Sequence, residues 1–212
     1  YIAGTMYKTP YFSTADKDEV IAFMKENAFA TLCGIGKDGF PVATQIPLLL
    51  EIRDTKIFLQ GHVMRKQNHT VAFENHQQVL VLFQGPHAYI SARHYSPQNT
   101  ASTWNYSTVQ AKGIISFLDQ DRLFEHLSKL TDHFENNPMS PSLVHHMQEA
   151  YIQSNMQAIE AIEIEIIELD HVFKWSQNKP LETQDTILQS LQQGTLQEQL
   201  AAKEMRIRLK KK

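Results

Sequence analysis

The sequence predicts a mainly β protein with helices, an α+β chain built on a small antiparallel barrel. Three observations predict it. Short apolar runs with period-two alternation recur along the first 118 residues and again after residue 158. Turn signals such as "KDG" and "RDT" separate neighbouring runs at hairpin distance. Helical periodicity is confined to segments that flank or interrupt the runs. Strands therefore dominate the core and helices decorate it, which favours a barrel over a parallel α/β sheet.

In order along the chain, Ser13 and Asp16 read as a capping arrangement before a helix whose apolar face is Val20, Ile21, Phe23 and Met24, ending near Asn27. "FATLCGIG" is an alternating strand, and "KDG" turns it into "FPVATQIPLLLEI". Pro41 and Pro47 cannot donate ladder hydrogen bonds, which places that second strand at an edge or at a bulge. "KIFLQG" follows "RDT", and residues 64–75 read as a short helix with Val71 and Phe73 inward. "QVLVLFQG" and "HAYISARHY" read as a strand pair interrupted at Gly85-Pro86. "WNYSTVQAKGIISFL" is a long strand with Gly113 as a bulge or bend.

Asp119 is a suitable N-cap for a helix with the stripe Leu123, Leu127, Leu130 and Phe134. A second helix is expected over residues 142–156. Ile162, Ile164 and Ile166 alternate with Glu163 and Glu165 in a half-exposed strand, with "HVFKWSQN" as its expected hairpin partner. Residues 1–178 read as one domain and 179–212 as a helical, Gln-rich and increasingly basic C-terminal extension. Residues 1–5 precede Met6 and read as a cloning remnant or an upstream extension.

The totals bound the function. A hydrophobic fraction of 42% in 212 residues supports a sizeable core, and a net charge of −3 gives no global attraction to nucleic acid or anionic membrane. Cys33 is the single cysteine; it excludes an intramolecular disulfide and reads as an inert, buried thiol. No apolar run reaches bilayer length and no signal-peptide pattern is present, so a soluble, cytoplasmic protein without membrane contact is expected.

Several constellations carry chemistry. Arg65 and Lys66 stand where a strand gives way to a helix, and a forked cation beside a point charge suits a phosphate monoester. A solvated turn fits the same residues. Trp104, Asn105 and Tyr106 open a strand with planar side chains beside an amide, which suits a flat heterocycle or an ordinary core. Lys174, Ser176, Gln177 and Asn178 pose the same choice. The ten histidines lack the spacing of a metal helix and read as scattered surface residues, so no metal site is expected. No nucleophile elbow, P-loop or dinucleotide turn is present, and no catalytic residue is assigned. The last segment, "AAKEMRIRLKKK", reads as a solvated helix end.

Taken together, "MYKTP-F", "PVATQIPLLL", "GHVMRKQN", "VLVLFQGPHAYIS", "TWNYSTVQAKG" and "FKWSQNK" resemble the PaiB-type FMN-binding proteins, described as negative transcriptional regulators. The resemblance covers about residues 6–193. It implies an FMN-binding split β-barrel, related to pyridoxamine-phosphate oxidases, working as a homodimer with flavin near the subunit interface. It implies that Arg65 and Lys66 grip the FMN phosphate, with His62 and Asn68 in the same motif. Thr44 and Gln45 fall on the strand beside the flavin, Gln84 ends the next strand, and Trp104 and Asn105 reach a flavin edge. Lys174, Ser176 and Gln177 match a late polar motif near the site. Met64, Lys66 and Gln67 depart from the family's "HxARAN" pattern, so a cation replaces a small residue. The resemblance implies DNA or a regulatory protein as a further partner. An FMN-dependent oxidoreductase is the alternative, and a haem-binding barrel is a third reading.

Overall fold

The computed structural model describes residues 9–95 and 100–210. Residues 1–5, Met6 to Lys8 of the first motif, residues 96–99 of the polar loop and the last two lysines lie outside the described residues. The elements are α1 (Lys17–Glu26), β1 (Phe29–Ile35), β2 (Pro41–Pro47), β3 (Leu49–Arg53), β4 (Lys56–Met64), α2 (Asn68–Asn75) and β5 (Gln78–Ile90). There follow β6 (Thr103–Phe117), α3 (Gln120–Glu135), α4 (Glu149–Met156), β7 (Ile159–Lys174), α5 (Leu181–Gln192) and α6 (Leu196–Lys210). The chain forms two compact units. One holds Ala28–Leu82 and Gln110–Leu169; the other holds Phe83–Val109, Asp170–Lys212 and the residues before Ala28.

The strands form a seven-stranded sheet in the order β2-β1-β5-β6-β7-β4-β3. The pairs β1–β2, β1–β5, β3–β4 and β4–β7 are all antiparallel. β2 and β3 occupy opposite edges, yet only Leu48 separates them in sequence. The sheet must therefore curl until its edges meet. Gly61 of β4 permits the meeting: a Cβ there would lie 2.8 Å from Leu48 Cδ2 and 3.2 Å from the Pro47 carbonyl oxygen. The buried Leu48 then serves as the corner of the barrel. Pro41 and Pro47 sit on the edge strand β2, as their missing donors require.

Four local expectations need correction. Asp16, not Ser13, caps α1, accepting from the backbone N–H groups of Asp18 and Glu19. α2 begins at Asn68 because β4 continues to Met64, and it buries Thr70, Ala72 and Phe73 while Val71 stays half-buried. β5 runs unbroken through Gly85-Pro86; its pairing with β1 ends at Leu82, so Pro86 removes no donor from that ladder. β7 is one strand of 16 residues and not a hairpin.

Gly113 has a different reason from a bend. Its absent Cβ would meet Ile164 Cγ2 at 2.5 Å and the Glu165 carbonyl oxygen at 2.7 Å, so β6 and β7 could not approach with a larger residue there. In α3, Asp119 caps Arg122 as expected. The stripe is shifted, however: Leu123 is buried, His126 takes the next inward position, and Phe134 is exposed. The expected helix over 142–156 is a short 3-10 turn at Val144–His146 followed by α4.

The second unit packs Phe23 of α1, Phe173 and Trp175 at the end of β7, Ile187 and Leu191 of α5, and Ala201, Ala202 and Met205 of α6. Arg208 is buried there too, against the expectation of a solvated basic end. Cys33 is half-buried, and partial burial raises its thiol pKa.

Candidate functional site

The candidate residues fall into two groups, one in each unit. The first gathers at the corner between β4 and α2. Arg65 anchors the chain by donating its backbone N–H to the Ala158 carbonyl at 2.9 Å, and its guanidinium forms an ion pair with Glu160 of β7. Lys66 adopts a left-handed backbone with φ of 61°, an uncommon state for a residue with a Cβ. That conformation turns the chain into α2 and leaves the lysine exposed, without an ion pair among the described residues.

Gln67 precedes α2 but gives no side-chain cap, so the first N–H groups of the helix beginning at Asn68 remain available to an acceptor. Thr70 ties the corner down by donating its hydroxyl to the Met64 carbonyl at 2.6 Å. A cationic fork, a point charge and an uncapped helix start thus share one turn, which is the chemistry an anion requires.

His62 lies three residues before Arg65 and is half-buried, with Nδ1 3.3 Å from His126 Nε2. Burial lowers the pKa of both, His126 to about 4 with further lowering by His62 and Lys129. The reading of surface histidines fails for His126, which is 1% exposed. Thr44 and Gln45 stand mid-strand in β2 opposite Leu32 and Thr31, the former half-buried and the latter exposed.

The second group joins the start of β6 to the end of β7. Lys174 donates to Thr103 Oγ1 at 2.5 Å, and burial with the nearby Lys179 lowers its pKa. Ser176 is again left-handed, with φ of 60°, and donates to Asn105 Oδ1 at 3.1 Å. Asn105 is fully buried, and its Nδ2 has no hydrogen-bond partner. Such an orphaned amide costs stability unless something accepts from it. Gln177 is folded back on its own chain, accepting from the Trp175 N–H at 2.7 Å and donating to the Phe173 carbonyl.

Beside this cluster lies a cleft of about 360 Å³ that brings Gln84 and Trp104 together with Gly85 and His87. Tyr106, Ser107 and Thr108 complete its lining. Trp104 stacks edge-on to Tyr89 at 5.8 Å, and both rings are more than half exposed. Sequence reasoning missed Ser107 and its partners Trp175 and Glu204. The signal was present as Glu204 and Arg208 four apart on one helical face among Ala201, Ala202 and Met205.

A family model described as "Putative FMN-binding domain" matches residues 6–168. The chain is 32% identical over 187 residues to the Protease synthase and sporulation protein PAI 2 of Bacillus subtilis (strain 168), covering 88% of this chain and 89% of that protein. Among solved structures, the FAD and heme binding protein from Mycobacterium smegmatis superposes with a TM-score of 0.58 at 17% identity, over 76% of this chain and 72% of that one. The flavocytochrome Anf3 from Azotobacter vinelandii does so with a TM-score of 0.55 at 14% identity, over 76% and 68%. At such identities the likeness is one of fold, the split barrel expected from the sequence motifs.

Proposed function

Because the chain belongs to the PaiB-type FMN-binding domain family, we propose that it is a homodimeric, cytoplasmic negative regulator of transcription that uses FMN as ligand or redox sensor. FMN is the cofactor of this family. The residues present fit it in kind: the buried, orphaned Nδ2 of Asn105 is a donor suited to a flavin carbonyl, and it is the observation that carries the reading. Arg65, Lys66 and the open start of α2 would hold the phosphate, with Arg65 shared between it and Glu160. His62 would brace the strand that presents them. In the homodimer that the family resemblance implies, Gln84 and Trp104 would offer an amide and an aromatic wall to a flavin ring.

Bound FMN supplies one- and two-electron chemistry; the chain contributes binding, orientation and exclusion of water. Lys174 and Ser176 orient the strand ends that carry Asn105. Thr44 and Gln45 would border the flavin from β2. The exposed pair Trp104 and Tyr89 supports a second copy of the chain as partner, since large aromatic residues anchor interfaces. The regulatory role is supported by the Bacillus relative, whose name ties it to protease synthesis and sporulation.

The test is a visible absorption spectrum of the purified protein with an FMN titration, beside Arg65→Ala/Lys66→Ala. Flavin bands and binding weakened in the double variant by about tenfold or more support the reading, as two charge-assisted contacts are removed. No FMN binding by the wild type overturns it. Bleaching of the bound flavin by a reduced nicotinamide would move the role from regulator to oxidoreductase.

A further inference from the structure

We infer that Glu160 of β7 is a positioning residue for the phosphate corner: it holds the Arg65 guanidinium, so that a phosphate meets a fork already ordered. This inference deepens the FMN reading above and rests on it.

The ladder sets up the pair. β4 and β7 run antiparallel, with Val63 opposite Glu160 and Met64 opposite Ile159. The Arg65 backbone N–H extends that ladder by one residue, donating to the Ala158 carbonyl at 2.9 Å. Glu160 stands two residues from Ala158, so it is the diagonal neighbour of Arg65 on the same face, within reach of a long side chain. The Arg65–Glu160 ion pair follows from this register.

Exposure separates the two roles. The Arg65 side chain keeps 34% of its surface, enough to meet a ligand, whereas Glu160 keeps 18%. The pair is made through Arg65 Nη1, and a guanidinium carries further N–H groups at Nε and Nη2 for a second acceptor. Glu160 therefore leaves donors on the fork while removing its freedom. An unheld arginine must be ordered by the ligand itself, which weakens binding. Lys66 gives the contrast. Next in the chain, exposed and without an ion pair among the described residues, it offers a charge and no fixed geometry.

Two more glutamates of β7 make such pairs, Glu163 with Arg53 and Glu165 with Lys56. Those cations flank the β3–β4 turn, at the opposite end of β4 from the corner. Of the three, the Glu160 pair is the one that holds a cation where β4 gives way to α2. Its carboxylate also offsets the Arg65 charge, so the work is divided: Arg65 supplies the fork and Lys66 the uncompensated charge.

The experiment titrates the full chain, freed of flavin, with FMN and with riboflavin, which has the same ring system and no phosphate, following flavin fluorescence. Glu160→Ala removes the charge and the hold, while Glu160→Gln removes the charge and keeps an oxygen that accepts from Arg65. Glu160→Ala should weaken FMN binding about fivefold, the scale of ordering one long side chain on binding, and leave riboflavin within about twofold. Glu160→Gln should lose no more than about twofold for either flavin. In an Arg65→Ala background, Glu160→Ala should not weaken FMN further, since it acts through Arg65. Unchanged or tighter FMN binding by Glu160→Ala overturns the inference and makes the carboxylate a competitor of the phosphate. An equal loss for FMN and riboflavin, a loss in Glu160→Gln as large as in Glu160→Ala, or a further loss without Arg65 overturns it as well. Each of these leaves the cofactor reading standing. A wild type that binds FMN no better than riboflavin removes the phosphate from this corner, and one that binds neither brings down the cofactor reading too.

Discussion

His62 Nδ1 and His126 Nε2 face each other at 3.3 Å, one on β4 and one on α3, with His126 almost wholly buried. One hydrogen can lie between the two facing nitrogens, and burial lowers the pKa of both rings. Desolvation is the larger cause, and it lowers the His126 pKa from 6.5 to about 4.

Acid destabilisation follows from that pair. Below about pH 6.5 the unfolded chain takes up a proton that folded His126 resists until about pH 4. The contribution to stability is therefore complete above 6.5, is lost as pH falls from 6.5 to 4, and changes no further below that. Its size is about 3 kcal/mol. Urea midpoints measured in pH steps should show this slope, and His126→Phe should flatten it. An unchanged slope in the variant would assign the effect elsewhere.

Lys66 should separate binding from stability. Lys66→Gly relieves a left-handed backbone while loosening the unfolded chain, so stability should stay level or rise by at most about 1 kcal/mol. FMN affinity should fall, as the ammonium is lost beside the start of α2. A thermal melt with an FMN titration reads both, and a fall in stability alone would make the lysine structural.

At Gly113 the expected effect is on the barrel. Gly113→Ala puts a methyl against Ile164 and the Glu165 backbone, and should destabilise the protein by about 1–3 kcal/mol in denaturant unfolding. Gly39→Ala also costs stability, for a different reason, since nothing approaches it and its φ of 81° is the whole of the strain.

Arg208 should behave as a core residue. It is buried between Glu19 and Glu204, with its guanidinium 3.8 Å from the Phe173 ring centroid. Arg208→Ala should cost about 3–5 kcal/mol, because the cation compensating two largely buried carboxylates is removed. Exposed Lys203→Ala, on the same helix, should leave the melt unchanged within about 0.5 kcal/mol. Equal small effects would return α6 to the status of a solvated extension.

The sequence by itself determined what is local. Alternation marked the strands, Asp119 capped its helix, Pro41 and Pro47 consigned β2 to an edge, and the motif around Arg65 and Lys66 marked a strand-to-helix corner. Each of these depends on neighbours a few residues away. The tertiary structure alone decided whether β5 continues through Pro86, why Gly113 must be small, and that His126, Arg208 and Glu204 are inside. Those outcomes depend on Leu82, Ile164, His62, Glu19 and Ser107, residues at least four and as many as 189 positions away. A charge or an imidazole reads as surface until the chain brings it a buried partner, and pairing at that range leaves no period in the sequence.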